Sequence, residues 1–136
     1  MEIRRKLLTF LITPLALVLL LPLQAQAQAG DSLSGDEIKT LFTDKTFDGV
    51  NHNSGSCFKN YASPKGACLV HYLSGKKSGE TVEIAWKVKG DMHCCVKKGK
   101  NICGTITNEG NGVYHKILEN GVHLQTYSNV NEGNQL

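Results

Sequence analysis

The alternation in ETVEIAWKVK, residues 80–89, constrains this chain more than any other feature. Val82, Ile84, Trp86 and Val88 alternate with Thr81, Glu83, Ala85 and Lys87. Successive side chains of a strand point to opposite faces, so this stretch predicts a half-buried strand with one apolar face. From residue 45 onward, short runs rich in Val, Ile, Thr, Tyr and Phe alternate with glycine-containing turns. TFDGV comes first, and CFKNYA and ACLVHYL flank SPKG. MHCCVK follows Gly90-Asp91, NICGTIT follows KGK, VYHKIL follows NEGNG, and VHLQTYSNV follows ENG. Such spacing predicts a mainly-β chain, a small antiparallel β-barrel or sandwich of the lipocalin-like meander kind.

One helix is expected ahead of the strands. In LSGDEIKTLF, Ser34 stands as N-cap with Glu37 three residues on, a capping box, and Asp36 and Glu37 suit the positive end of a helix dipole. Ile38, Leu41 and Phe42 form one apolar stripe. Capping accounts for the acidic pair without any catalytic role.

The first 29 residues read as an address. Arg4, Arg5 and Lys6 precede an apolar run interrupted by Pro14 and Pro22, and QAQAQAG supplies small-x-small cleavage sites. This is the pattern of a secretory signal peptide rather than of a membrane anchor. Two segments follow: a leader, 1–29, and a single exported β-domain, 30–136. The latter carries 12 basic and 11 acidic groups and no arginine. That balance gives no support to nucleic-acid binding, and no guanidinium is present to clamp a phosphate or carboxylate. The expected location is periplasmic or secreted, with no membrane span once the leader is gone.

All five cysteines, Cys57, Cys68, Cys94, Cys95 and Cys103, lie in the β-domain. An exported chain meets an oxidising compartment, so disulfides are the default, and an odd count leaves at least one thiol over. Matching apolar to apolar across the KGK turn sets Val96 against Ile102 and therefore Cys95 against Cys103 on the polar face, with His93 beside Cys95. Directly opposed cysteines are close enough to bond, so Cys95–Cys103 is the expected staple. Around SPKG a four-residue loop opposes Ala62 to Ala67. That register puts Cys57 and Cys68 on one face but too far apart along the strands to bond. The competing reading of this stretch is a metal- or thiol-active site built from His93, Cys94, Cys95 and Cys103, which offer the nitrogen and sulfur donors zinc prefers. Neighbours on a strand point apart, and no C-x-x-C knuckle is present, so the disulfide is preferred.

Several segments together resemble a bacterial family of small exported proteins, a domain of unknown function. They are LSGDEIKTLF, DKTFDG, YASPKG, WKVKGDMHC, the IC ahead of NEGNGVY, and the closing GNQL. The resemblance implies a signal peptide, an N-terminal helix and a small antiparallel β-domain. It points to Cys94–Cys103 as the bond, in place of Cys95–Cys103, and brings no catalytic residues.

No nucleophile elbow, phosphate loop, H-E-x-x-H or dinucleotide fingerprint is present, and no cofactor is implied. Tyr61, Tyr72, Trp86, Tyr114 and Tyr127 are expected to fill the core. The lysine-rich turns, Lys76-Lys77 and Lys97, Lys98 and Lys100, mark the expected contact surface. The expectation is an exported non-catalytic binding or structural protein of the bacterial envelope, partnered by an unknown envelope protein or a small ligand. Mass measurement of the exported protein should find Gly30 or Gln28 at the mature N-terminus; an intact apolar leader on membrane-extracted protein would contradict this.

Overall fold

The computed structural model describes residues 30–136, and the leader reading lies outside the described residues. A two-residue strand, β1 (Asp31–Ser32), leads into α1 (Gly35–Phe42). Then come β2 (Lys45–Asn51), β3 (Cys57–Ala62), β4 (Ala67–Tyr72), β5 (Thr81–Lys89), β6 (Met92–Lys97), β7 (Lys100–Gly110), β8 (Val113–Leu118) and β9 (His123–Glu132). Strands β2 to β9 form an antiparallel meander, and β9 pairs back onto β2, so the sheet closes into an eight-stranded barrel. The mainly-β expectation holds, and closure decides for the barrel over the sandwich.

Turn chemistry sets the registers. Gly90-Asp91 is a two-residue loop that opposes Lys89 to Met92, with Gly90 at φ 58°. Lys98-Gly99 is another, opposing Lys97 to Lys100, with φ 51° and 73°. Two consecutive positive φ values define the type I′ turn, whose twist matches that of the flanking strands. Asn111-Gly112 repeats the device between β7 and β8.

The helix closes one end of the barrel. Its capping box is formed, with Ser34 Oγ accepting from the Glu37 amide at 3.2 Å. Gly35 N donates to Asp91 Oδ1 at 2.8 Å, which ties the helix start to the β5–β6 turn. A side chain at Gly35 would meet the Gly90 carbonyl, so only glycine permits this approach. Ile38 and Phe42 are fully buried, and the Phe42 ring packs on Phe47, His93 and Tyr127 with centroids 4.7, 5.1 and 5.4 Å away. Trp86 completes this end, its Nε1 donating to the Ser63 carbonyl at 3.0 Å. Of the tyrosines, Tyr127 is core, Tyr72 and Tyr114 are half-buried, and Tyr61 faces out to donate to Asp44.

Phe42→Ala removes the ring that joins helix to barrel. It should destabilise by about 3–5 kcal/mol in a denaturant titration. A loss below about 1 kcal/mol would mean that the helix is not seated as described.

Candidate functional site

The cysteine stretch lies the other way round from the sequence expectation. The two-residue turn at Lys98-Gly99 opposes Cys94 to Cys103 and Cys95 to Ile102, and Cys94 and Cys103 form the disulfide. Cys95–Cys103 is therefore corrected. Apolar matching assumed a three-residue turn, and a shift of one residue inverts both faces. Across β5, Trp86 opposes Cys95 and Val88 opposes His93. Cys95 and His93 thus share the inner face, while Cys94 and Val96 share the outer. His93, expected on the surface, is buried. The four donors of the metal reading are split by the sheet and two are spent in the disulfide. Among the described residues no group of three metal donors is gathered.

The β3–β4 loop differs by one residue as well. Ala62 opposes Cys68, because the loop spans Ser63–Ala67 and passes through Gly66 at φ 88°. Cys68 is buried inside the barrel. Cys57, opposite Val50, belongs to the other face and is half-buried. Burial pushes the Cys68 thiol up to about 12, with the nearby Cys95 adding to the effect.

What sequence reasoning missed is Lys116. In VYHKIL its side chain falls between Tyr114 and Leu118 on the inner face, opposite Ile106 and Gln125. It is completely buried. Gly104 makes this possible: a β-carbon there would sit 3.0 Å from Lys116 Cγ and 2.6 Å from the Ile117 carbonyl oxygen. Lys116 Nζ donates to the Ile102 carbonyl at 2.9 Å, and lies 3.3 Å from His93 Nδ1 and 3.8 Å from Cys95 Sγ. These partners are all formally neutral. Burial lowers the Lys116 pKa, opposed by its interactions with Cys95 and Cys68. Burial, with Lys116 second, holds His93 well below its ordinary range. The available signal was the i±2 pattern, which puts Lys116 in register with Tyr114 and Leu118.

The two ends of the lumen differ. Toward the helix, inward residues such as Phe47, Ala62 and Ile106 are almost fully buried. Toward the other end, Tyr72, Val82, Ile84, Cys95 and Gln125 remain partly exposed. That end is ringed by residues 52–56, 73–80, 98–99 and 119–122, since successive hairpins of a meander alternate ends. Three large apolar side chains stand exposed there: Leu73 at 52 %, Val122 at 48 % and Ile102 at 37 %. Within the lumen, Asn60 Oδ1 is buried with no hydrogen-bond partner among the described residues. Lys97, Lys98 and Lys100 lie at the β6–β7 turn of the same end, and all three are exposed. Lys97 and Lys98 join Lys65 and Lys77 along a groove of about 590 Å³, floored by Ala67, Ala85 and Val96 and reached also by Val82, Glu83 and Ile84. On β8 and β9, His115 stacks on His123 with centroids 4.0 Å apart, and His52 lies tilted against His123 at 4.3 Å.

Fold and site together define an eight-stranded meander barrel with one end plugged by a helix and the other open, above a buried lysine. The chain matches no protein-family model, no curated protein and no solved structure.

Two outcomes follow from the lysine cluster. Gly104→Ala should cost about 1–3 kcal/mol in denaturant titration, because it overpacks against a backbone carbonyl and the Lys116 stem. His93 binds a proton more weakly folded than unfolded, so its linkage leaves full stability above about pH 6.5 and removes it as pH falls from there. The loss should not exceed about 1.4 kcal/mol per pH unit for this one group. His93→Gln keeps an acceptor for Lys116 without titrating, so it should flatten stability between about pH 6.5 and 5. An unchanged slope would place the acid sensitivity elsewhere.

Proposed function

We propose that this chain is an exported, non-catalytic binding protein of the bacterial envelope that takes a small, partly apolar ligand at the open end of its barrel. The observation that carries the reading is the asymmetry of the lumen. A small barrel ordinarily fills its interior with side chains, as the helix end does here. The far end instead leaves Tyr72, Val82 and Ile84 partly open to solvent and surrounds them with exposed Leu73, Ile102 and Val122. Exposed apolar surface grouped around partly open interior side chains is the ordinary signature of a binding site. The orphaned Asn60 Oδ1 supplies an acceptor in the lumen, so a ligand carrying a hydrogen-bond donor is favoured.

The lysine turn contributes charge at the rim. Lys97, Lys98 and Lys100 favour a ligand, or an envelope partner presenting one, with negative charge. Export rests on the leader pattern and on the resemblance to small exported proteins.

An environment-sensitive apolar fluorophore such as 1-N-phenylnaphthylamine tests this. It should bind the protein and brighten. Ile84→Trp, which fills the open end, should weaken binding at least about tenfold, and Lys97, Lys98 and Lys100 changed together to Ser should weaken anionic competitors more than neutral ones. Equal binding by wild type and the Ile84→Trp variant, with both folded, would contradict the reading.

A further inference from the structure

Lys116 has a hydrogen-bond inventory that fits two proton states equally well. A neutral amine offers two N–H groups and one lone pair. The Ile102 carbonyl and His93 Nδ1 take the two N–H groups, at 2.9 and 3.3 Å, and the lone pair is left for the S–H of Cys95, 3.8 Å away. Moving the thiol proton to Lys116 gives an ammonium with three N–H groups, for which the same carbonyl, the same imidazole nitrogen and the new thiolate are three acceptors. The Lys116 amine, the Cys95 sulfur and the Ile102 carbonyl each keep a partner in either state. His93 must be neutral with an unprotonated Nδ1 in both, and its burial, with Lys116 alongside, favours that form. A buried lysine is costly where its partners are all formally neutral, and a proton-accepting role gives the cost a reason.

Cys95 is also the interior thiol that a small molecule can reach. It faces the lumen and is half-buried, whereas Cys68 is buried. We propose that Cys95 and Lys116 form a thiol–amine pair, and that Cys95 is a site of S-thiolation by small disulfides entering the open end. Cys95 Sγ attacks one sulfur of RS–SR as its S–H proton passes to Lys116 Nζ. A bond forms between Cys95 and that sulfur, the RS–SR bond breaks, and its electron pair leaves as RS⁻. The leaving thiolate takes the proton from Lys116, so the products are the Cys95 mixed disulfide and RSH, and the amine is again neutral. The disulfide is the oxidant, and exported proteins meet such disulfides.

The mixed disulfide is an end state rather than an intermediate of turnover. Cys68 lies on β4 and Cys95 on β6, with β5 between them, and their partners Ile84 and Trp86 are two residues apart along β5. Two strand spacings alone are about 9–10 Å. A disulfide tolerates a Cα separation of only about 7 Å, so Cys68 cannot resolve the adduct without backbone movement.

The full chain is tested with its Cys94–Cys103 bond intact, using 2-hydroxyethyl disulfide, which is small and uncharged. Peptide mass mapping over time reads Cys95 and Cys57 in the same molecule. Cys95 should be modified at least about tenfold faster than Cys57, the half-buried thiol of the outer face. From about pH 6 to 8 its rate should also rise less steeply than that of Cys57, because its proton acceptor is built in. Lys116→Met should remove the advantage and restore a steep pH dependence at Cys95, with Cys57 unchanged. Should that variant not fold, the comparison within wild type still decides. Cys95 reacting no faster than Cys57 overturns the proposal, as does a Lys116→Met variant that folds and reacts like wild type. Ligand binding at the open end is read by the fluorophore alone, so failure of one reading is distinguishable from failure of the other.

Discussion

Pairing of β9 with β2 makes the rest of this structure possible. Gly49 opposes both Tyr127 of β9 and Phe58 of β3. A β-carbon at Gly49 would fall on the Phe58 ring, so the glycine leaves the space which that ring fills at the seam. Once the seam closes, each strand has an inside and an outside, and every one-residue choice of register becomes a choice between lumen and solvent. Closure also removes the sheet edges, leaving the two barrel ends as the places where the chain must manage exposed interior. One end receives the helix, with Phe42 inserted among Phe47, His93 and Tyr127. The other end receives only turns.

That division locates the chemistry. The helix end is a buried aromatic core of Phe42, Phe47 and Tyr127. Midway lies Lys116, whose neutral partners and complete burial mark it as the least expected group in the lumen. Above it, Cys95 and half-exposed apolar side chains face the open end. The Cys94–Cys103 bond sits behind this on the outer face and joins β6 to β7 beside Lys116's partners Cys95 and Ile102. Its loop is short, so its contribution through chain entropy is about 2–3 kcal/mol, and its further effect is to hold the register that aims Cys95 inward.

Local signals in the sequence carried a large part of this fold. The Ser34–Glu37 capping box located the helix, and the alternation of Val82, Ile84, Trp86 and Val88 identified the inner face of β5. The register of β6 on β7 was not legible from apolar matching. Lys98-Gly99 has turn chemistry strong enough to impose a two-residue loop, and this outweighed the pairing of Val96 with Ile102. At the β3–β4 loop the SPKG turn signature points to four residues, but the loop takes a fifth, passing through Gly66 at positive φ, and the register shifts by one. Lys116 was hidden because a lysine in a strand reads as solvent-facing, and the glycine that admits it, Gly104, lies on a different strand. The Cys94–Cys103 pairing, the alternative to the one that face matching preferred, is the bond present.

The central claim is that the lumen is open and apolar at one end only. Nuclear magnetic resonance of the labelled chain, titrated with an apolar naphthylamine, tests it most directly. The account predicts shifts at Tyr72, Cys95, Ile102 and Gln125 with little change at Phe47, Ile106 and Trp86. Shifts centred on the helix end, or on the groove floored by Ala67, Ala85 and Val96, would contradict it.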